Sequence, residues 1–317
     1  MQPALIAVDW GTTALRGALL AADGTLLASH AAPRGLLSVA PGGWAAAFDA
    51  EFGAWRAAHP QLPCLLAGMV GSRQGWAEAP YCACPAGLAD VAQRLHWVQP
   101  GQVAIVPGLS TLADGVPDVL RGEETQVFGA LQALGADAAG DLSIVLPGTH
   151  SKWVQVRAGR ITGFATHMTG ECYALLRQQS ILARMLPADD GELDGAAFDA
   201  GVARAFGAGG LLHHLFSVRT LALFDQAGGP ALASRLSGLL IGEELRAQAL
   251  APGAAVVVVG SAALALRYQR ALALRGHAVQ VLSADTGWLG LLAIAGAAGL
   301  LSAKGQAGAA PAGTLSA

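Results

Sequence analysis

The stretch Ile6-Ala7-Val8-Asp9-Trp10-Gly11-Thr12-Thr13 is an apolar strand that runs into an acid, a glycine and two hydroxyls; Leu15 to Leu20 and the turn Ala22-Asp23-Gly24-Thr25 follow it. This pattern reads as a phosphate-binding β-hairpin. Gly11 lets the backbone approach an anion, Thr12 and Thr13 add hydroxyl donors to the backbone N–H groups, and Asp9 can hold a hydrated Mg²⁺ through its waters. Taken alone, the string also fits an ordinary hairpin whose Asp and Thr cap a turn.

A second copy lies far along the chain. Leu142 to Leu146 is another apolar strand, Gly148-Thr149-His150-Ser151-Lys152 another small, hydroxyl-rich turn, and Trp153 to Val156 with Ala158-Gly159-Arg160-Ile161 a returning strand with its own tight turn. Two such hairpins could grip a triphosphate from both ends, with Lys152 as an added point charge.

Composition agrees with a two-domain enzyme. The chain has 317 residues and is 53% hydrophobic, ample for two cores, and its net charge of −3 provides no basic stripe for nucleic acid. Its longest apolar stretch, Trp288 to Leu301, is short and glycine-broken and reads as a buried helix, so no membrane partner is expected. No charged region precedes Leu5, so no signal peptide is expected. Cys64, Cys82, Cys84 and Cys172 lack the spacing of a disulfide framework or a zinc site, which points to reduced thiols and a cytoplasmic location. His213 and His214 are neighbours on a helix and point apart.

Short apolar runs at Leu65 to Val70, Val103 to Val106, Ile144 to Leu146 and Val256 to Val259 alternate with helical stretches at Trp44 to Ala58, Leu88 to Leu95, Glu124 to Leu134, Tyr173 to Leu186, Ala196 to Phe206, Ala231 to Leu250 and Ala262 to Leu274. That is α/β patterning. The small polar segment Ala136 to Asp141 marks a boundary, giving lobes of residues 1–138 and 139–301, and residues 302–317 read as a frayed tail.

Between the hairpins, Asp118-Val119-Leu120-Arg121-Gly122-Glu123-Glu124-Thr125-Gln126 leads into an apolar helix. Acids there can simply cap a helix start. They can also supply chemistry, because a hydroxyl attacking a γ-phosphoryl group needs a carboxylate to orient it and accept its proton. Glu124 is the first choice for that base and Glu123 the reserve. Further on, Val256 to Val259 with Gly260-Ser261 forms a strand, a glycine turn and a helix of small residues where a flat base can approach the backbone.

In this order, these features resemble the sugar kinase, Hsp70 and actin superfamily, and within it the 2-dehydro-3-deoxygalactonokinase family. The resemblance is carried by Asp9 to Thr13, Gly68 to Ser72 with Gly75-Trp76 and Glu78 to Tyr81, Arg121 to Gln126, Leu146 to Trp153, Met168 to Glu171, Leu215 to Arg219 and Leu236 to Gly242, and covers residues 4 to about 300. It implies two ribonuclease H-like lobes with an interlobe cleft, an actin-like ATPase duplication. It also implies ATP-dependent phosphorylation, with Mg²⁺, of the terminal hydroxyl of 2-dehydro-3-deoxy-D-galactonate in galactonate breakdown. Carried over by position, Asp9 organises the metal, Gly11, Thr12, Thr13, Gly148 and Thr149 hold phosphates, Gly260 and Ser261 lie under the adenosine, and Glu124 is the base. Where the superfamily's second hairpin often opens with an acid, Pro147 stands here.

The acceptor is a carboxylate, so its pocket calls for a cation able to make paired hydrogen bonds. Arg73, after the turn that ends in Ser72, and Arg219 are the candidates, with Ser72 and Trp76 expected to touch the same small molecule. Arg219 could instead pair with a surface acid, and Trp76 could pack a loop. A phosphohydrolase of nucleotide or polyphosphate, a kinase for a related keto-deoxy acid, and a nucleotide-gated scaffold are the rival readings. A homodimer is the assembly considered.

Overall fold

In chain order the strands are β1 (Pro3–Trp10), β2 (Leu15–Ala21), β3 (Leu26–Ala32), β4 (Cys64–Ala67), β5 (Cys82–Ala83), β6 (His96–Gln99), β7 (Val103–Ile105), β8 (Leu109–Ala113), β9 (Val116–Leu120), β10 (Leu142–Leu146), β11 (Ser151–Arg157), β12 (Arg160–His167), β13 (Ala255–Gly260) and β14 (Ala278–Ser283). The helices are α1 (Trp44–Ala58), α2 (Leu88–Ala92), α3 (Glu123–Leu134), α4 (Thr169–Gln179), α5 (Gly195–Ala205), α6 (Gly210–Leu223), α7 (Pro230–Gln248), α8 (Ala262–Leu274) and α9 (Thr286–Ala297). These come from a computed structural model that describes residues 1–301, so the reading of 302–317 as a tail lies outside the described residues.

The chain folds as two compact units. Within the described residues, one comprises 1–80, 88–107 and 291–301, and the other 81–87 and 108–290. The boundary expected at 138/139 falls inside the second unit, which groups α3 and its acids with the second hairpin.

The first unit is built on a sheet of order β3-β2-β1-β4-β7-β6. Leu5 to Val8 are wholly buried, as expected of a central strand covered on both faces. β1 runs antiparallel to β2, with Trp10 opposite Leu15, and parallel to β4, with Asp9 beside Ala67. α1 begins and ends where the sequence predicts because Trp44, Ala47, Phe48 and Phe52 fall on one face and enter the core with Trp10 and Leu66.

The second unit repeats the plan with the order β12-β11-β10-β13-β14, two antiparallel pairings followed by parallel ones. The chain is therefore a duplicated α/β protein of two ribonuclease H-like units. Helix α7 lies against α5 with almost no spacing, since a Cβ on Gly238 or Gly201 would overlap the carbonyl of Phe198 or Arg235 respectively.

Three expectations about elements are corrected. β4 stops at Ala67, because Gly68 takes φ +92° and Met69–Gly71 forms a 3-10 turn rather than more strand. The helix expected from Tyr173 starts earlier, at Thr169, and ends at Gln179, where Ser180 turns extended and caps a separate 3-10 turn, Ile181–Arg184. α6 is not among the helical stretches expected from periodicity, although His213 and His214 are read there as helical; its apolar residues fall on several faces, and Leu212 and Phe216 are exposed. All four cysteines are free thiols, and among the described residues no helix is long and apolar enough to cross a membrane.

Candidate functional site

In the first unit the strand-to-turn junction is held from behind. Gly11 N–H donates to the Ala14 carbonyl at 2.9 Å, closing the turn. The carbonyls of Gly11, Thr12 and Thr13 accept from Leu36, Leu37 and Gly35 at 3.0, 3.3 and 3.2 Å. The Thr12 and Thr13 side chains are left exposed, as an anion-binding turn requires. Gly35 makes this possible, because a Cβ there would overlap the carbonyl groups of Thr12 and Thr13. Asp9 lies at the strand end, part-exposed, and accepts from Arg16 Nη2 at 2.8 Å.

Ser72 and Arg73 follow the 3-10 turn after β4. The Ser72 hydroxyl is buried and has no hydrogen-bond partner. Arg73 is 86% exposed and reaches Glu78 at 3.5 Å. Trp76 packs on Phe48 with ring centroids 5.7 Å apart, so most of its surface serves the core.

In the second unit the Pro147 to His150 turn joins β10 to β11, and a glycine again backs it. A Cβ on Gly170 would overlap the Gly148 carbonyl and lie 2.8 Å from Thr149 Cα. Glu171 N–H donates to Thr149 O at 2.9 Å, and its carboxylate meets His150 Nε2 at 2.5 Å. The start of α4 is thereby fixed against the turn.

A cavity of about 360 Å³ opens beside this turn. Gly148, Thr149, Thr169 and Gly170 form one wall, Leu240 and Ile241 an apolar one, and Ala263, Leu264, Arg267 and Tyr268 a third. Its volume falls in the range of small-molecule sites. Gly260 and Ser261 stand at the head of the third wall, where a Cβ on Gly260 would lie 3.5 Å from Pro147 Cδ, and the lining residues come from the first two turns of α8 beyond them. Sequence reading missed Thr169, Ser237, Tyr268 and Arg267; Arg267 Nη1 donates to Ser237 Oγ at 2.8 Å on the cavity's edge. Helical spacing of Leu264, Arg267 and Tyr268 was the available signal.

The two acids at the start of α3 differ sharply. Gly122, at φ +105°, turns the chain into the helix, and its N–H donates to Glu124 Oε2 at 2.7 Å. Glu124 is 0% exposed, and its Oε1 is buried without a partner. Burial above all, then the neighbouring Glu123 charge, pushes its carboxyl up to about 8. Glu123 is 27% exposed and accepts from Arg121 N–H at 2.9 Å. The helix that carries Glu124, α3, meets α9 backbone to backbone next to it: a Cβ on Gly129 would overlap Thr286 O, and one on Gly290 would overlap Thr125 O.

Lys152, expected as an added point charge on a triphosphate, is only 7% exposed. Its Nζ donates to Thr166 Oγ1 at 2.9 Å and lies 4.0 Å from Glu123 Oε1. Thr166 is in turn held by Asp118, through its N–H and its hydroxyl, each at 2.7 Å. The ammonium is thus drawn toward Glu123. Arg219 lies on α6 with a buried Nη1 that has no hydrogen-bond partner, in no ion pair among the described residues and outside the cavity lining. The expected site residues therefore fall into two groups, Asp9 to Thr13 with Ser72, Arg73 and Trp76 in one unit, and Glu123, Glu124, Gly148, Thr149, Lys152, Arg219, Gly260 and Ser261 in the other.

Among the described residues no three His, Cys, Asp or Glu side chains gather as a metal site. A lone, part-exposed Asp9 fits Mg²⁺, which keeps most of its waters and arrives on substrate phosphates.

Comparison with known proteins follows the same lines. The family model described as 2-keto-3-deoxy-galactonokinase matches residues 9–294. A relative named "Probable 2-dehydro-3-deoxygalactonokinase DgoK1" from Rhizobium meliloti (strain 1021) is 38% identical over 286 residues, 88% of this chain and 92% of that protein. The 2-dehydro-3-deoxygalactonokinase of Escherichia coli (strain K12) is 35% identical over 288 residues, 90% of this chain and 95% of that protein. The crystal structure of a protein proposed as a 2-dehydro-3-deoxygalactonokinase from Sinorhizobium meliloti superposes with a TM-score of 0.82 at 36% identity, covering 92% of this chain and 98% of that one.

Proposed function

The chain belongs to the 2-keto-3-deoxy-galactonokinase family, and from that membership we propose that it transfers the γ-phosphoryl group of ATP to the terminal hydroxyl of 2-dehydro-3-deoxy-D-galactonate, giving the 6-phosphate used in galactonate breakdown. The observation that carries this reading is the cavity bounded by the Gly148-Thr149 turn and by the apolar side chains Leu240, Ile241 and Leu264. A phosphate-binding turn beside an apolar slot suits a nucleotide, with adenosine between α7 and α8 and its phosphates toward Thr149.

In the first unit, Thr12, Thr13 and the Gly11 turn would supply phosphate donors, and Asp9 would hold Mg²⁺ through water. The ion, when bound, offsets charge on the phosphate oxygens. Glu124 accepts the proton of the acceptor hydroxyl as its oxygen bonds to phosphorus and the bond to the ADP oxygen breaks. Its Oε1 has no partner but is wholly buried, so this role requires the acceptor's binding to uncover it, and its raised affinity for a proton makes it a stronger base than an ordinary carboxylate. Lys152 holds charge beside Glu123, and Ser72, Arg73, Trp76 and Arg219 serve the keto-deoxy acid. We place the enzyme in the cytoplasm, as a homodimer.

The test is ADP release measured across keto-deoxy acids derived from galactonate and gluconate, plain hexoses, and no acceptor. Release that depends on 2-dehydro-3-deoxy-D-galactonate is the expected result. Equal release without an acceptor would make the protein a phosphohydrolase, and preference for the gluconate-derived acid would reassign its substrate.

A further inference from the structure

One heavily bonded side chain in the second unit is not used by the proposed chemistry. Glu244, near the end of α7, is 2% exposed, and among the described residues no Lys, Arg or His stands within ion-pair distance of it. Its carboxylate is held instead by four neutral donors. Ser151 Oγ and Trp153 Nε1 donate to Oε1 at 2.7 and 2.6 Å, while Tyr268 OH donates to Oε2 at 2.7 Å together with the Thr169 hydroxyl.

Burying a carboxylate without a cation is costly, and an apolar side chain of similar size would pack there at lower cost. What the carboxylate provides is a joint. Ser151 and Trp153 lie on β11, which continues directly from the Gly148-Thr149 turn; Thr169 opens α4, and Tyr268 lies on α8. The turn that leads into β11, the start of α4 and the first turns of α8 all line the cavity, and Thr169 and Tyr268 do so themselves. A network in which both oxygens are saturated holds one arrangement of its members and penalises others. Tyr268 remains a donor, since burial and then the Glu244 charge push its phenol well above the ordinary range.

We propose that Glu244 is a positioning residue of the nucleotide pocket, setting the phosphate turn, the start of α4 and the first turns of α8 in the register that a magnesium nucleotide requires. This rests on the nucleotide reading of the cavity given above. Glu244→Gln is the informative variant. Trp153 can only donate, so the amide oxygen must take the Oε1 place, and the amide nitrogen then faces Thr169 and Tyr268, whose hydroxyls must turn round to accept. Shape is kept while the charge and the direction of two cavity-lining hydroxyls change.

The measurement is titration of the full-length protein with magnesium ADP, alongside Tm and the KM of the acceptor. Loss of one charge-assisted bond is worth about tenfold or more in affinity, so Glu244→Gln is expected to bind magnesium ADP about tenfold more weakly while the acceptor KM stays put. Tyr268→Phe, which removes a single donor with little change in volume, is expected to weaken binding in the same direction and serves if Glu244→Gln fails to fold. Parental affinity in a folded Glu244→Gln protein, or in Tyr268→Phe when that variant stands in, would overturn the inference. A parent protein that does not bind magnesium ADP would overturn the nucleotide reading itself, and this inference with it.

Discussion

Gly35 stands directly behind Thr12, so near that a β-carbon on Gly35 would overlap the Thr12 carbonyl. Its backbone is extended at φ −79°, which any residue can adopt, so glycine is required here by space alone. Gly35→Ala should push the turn off the segment that anchors its carbonyls, costing about 1–3 kcal/mol and weakening use of ATP. Gly140→Ala, at a position with open space around it, is the control. A urea midpoint and an ATP KM for each variant decide the matter, and equal behaviour of the two would refute it.

Glu124 binds its proton more tightly folded than unfolded, at about 8 against 4.5. Its stabilising contribution is therefore complete below about pH 4.5 and is lost as the pH climbs through 8, at up to about 1.4 kcal/mol per unit. Urea unfolding across that window should show stability declining with pH in the parent and a flatter profile in Glu124→Gln. The proposed base must be ionised to work, so kcat/KM should climb over the same interval. Glu124→Gln is expected to lose on the order of 10²-fold or more in kcat, whereas Glu123→Gln, which removes the neighbouring charge, should move the rise to lower pH. If Glu124→Gln stays within a few-fold of the parent, another group is the base.

The crossing of α3 and α9 leaves no room for a methyl group at Gly129 or Gly290. Gly290→Ala should force the helices apart, unseal Glu124 and cost about 1–3 kcal/mol or more. Its signature is a lowered Tm together with a pH–rate profile shifted toward an ordinary carboxylate, since water would then reach the buried acid. A lowered Tm with an unmoved profile would separate packing from catalysis.

Asp9 is the single hairpin acid proposed to meet the metal's water shell, and Arg16 already occupies one side of it. Asp9→Asn should raise the magnesium concentration needed for half-maximal rate by about tenfold or more, the effect usual for loss of an outer-sphere carboxylate. An unchanged magnesium curve would remove Asp9 from that role.

Much of this was legible in the residues because it is local. A strand that ends in Asp9-Trp10-Gly11-Thr12-Thr13 announces its own turn, and the second copy at Gly148 to Lys152 announces a duplication that the two strand orders reproduce. Helix α1 was readable to the residue because Trp44, Ala47, Phe48 and Phe52 follow one helical face. Periodicity failed at α6, whose apolar residues are not confined to one face, and at Gly68, where a positive φ ends a run of apolar residues that otherwise looks like strand.

By itself, then, the sequence determined the hairpins, the acid-opened helix and the family, since each rests on neighbouring side chains whose chemistry and spacing are visible along the chain. Tertiary structure alone decided which glycines back the turns, why Glu124 and Glu123 differ, where the Lys152 ammonium goes, and that Glu244 ties β11, α4 and α8 together. Those are contacts between residues as far apart in the chain as Thr125 and Gly290, and the burial and fields they create exist only once the chain has closed on itself.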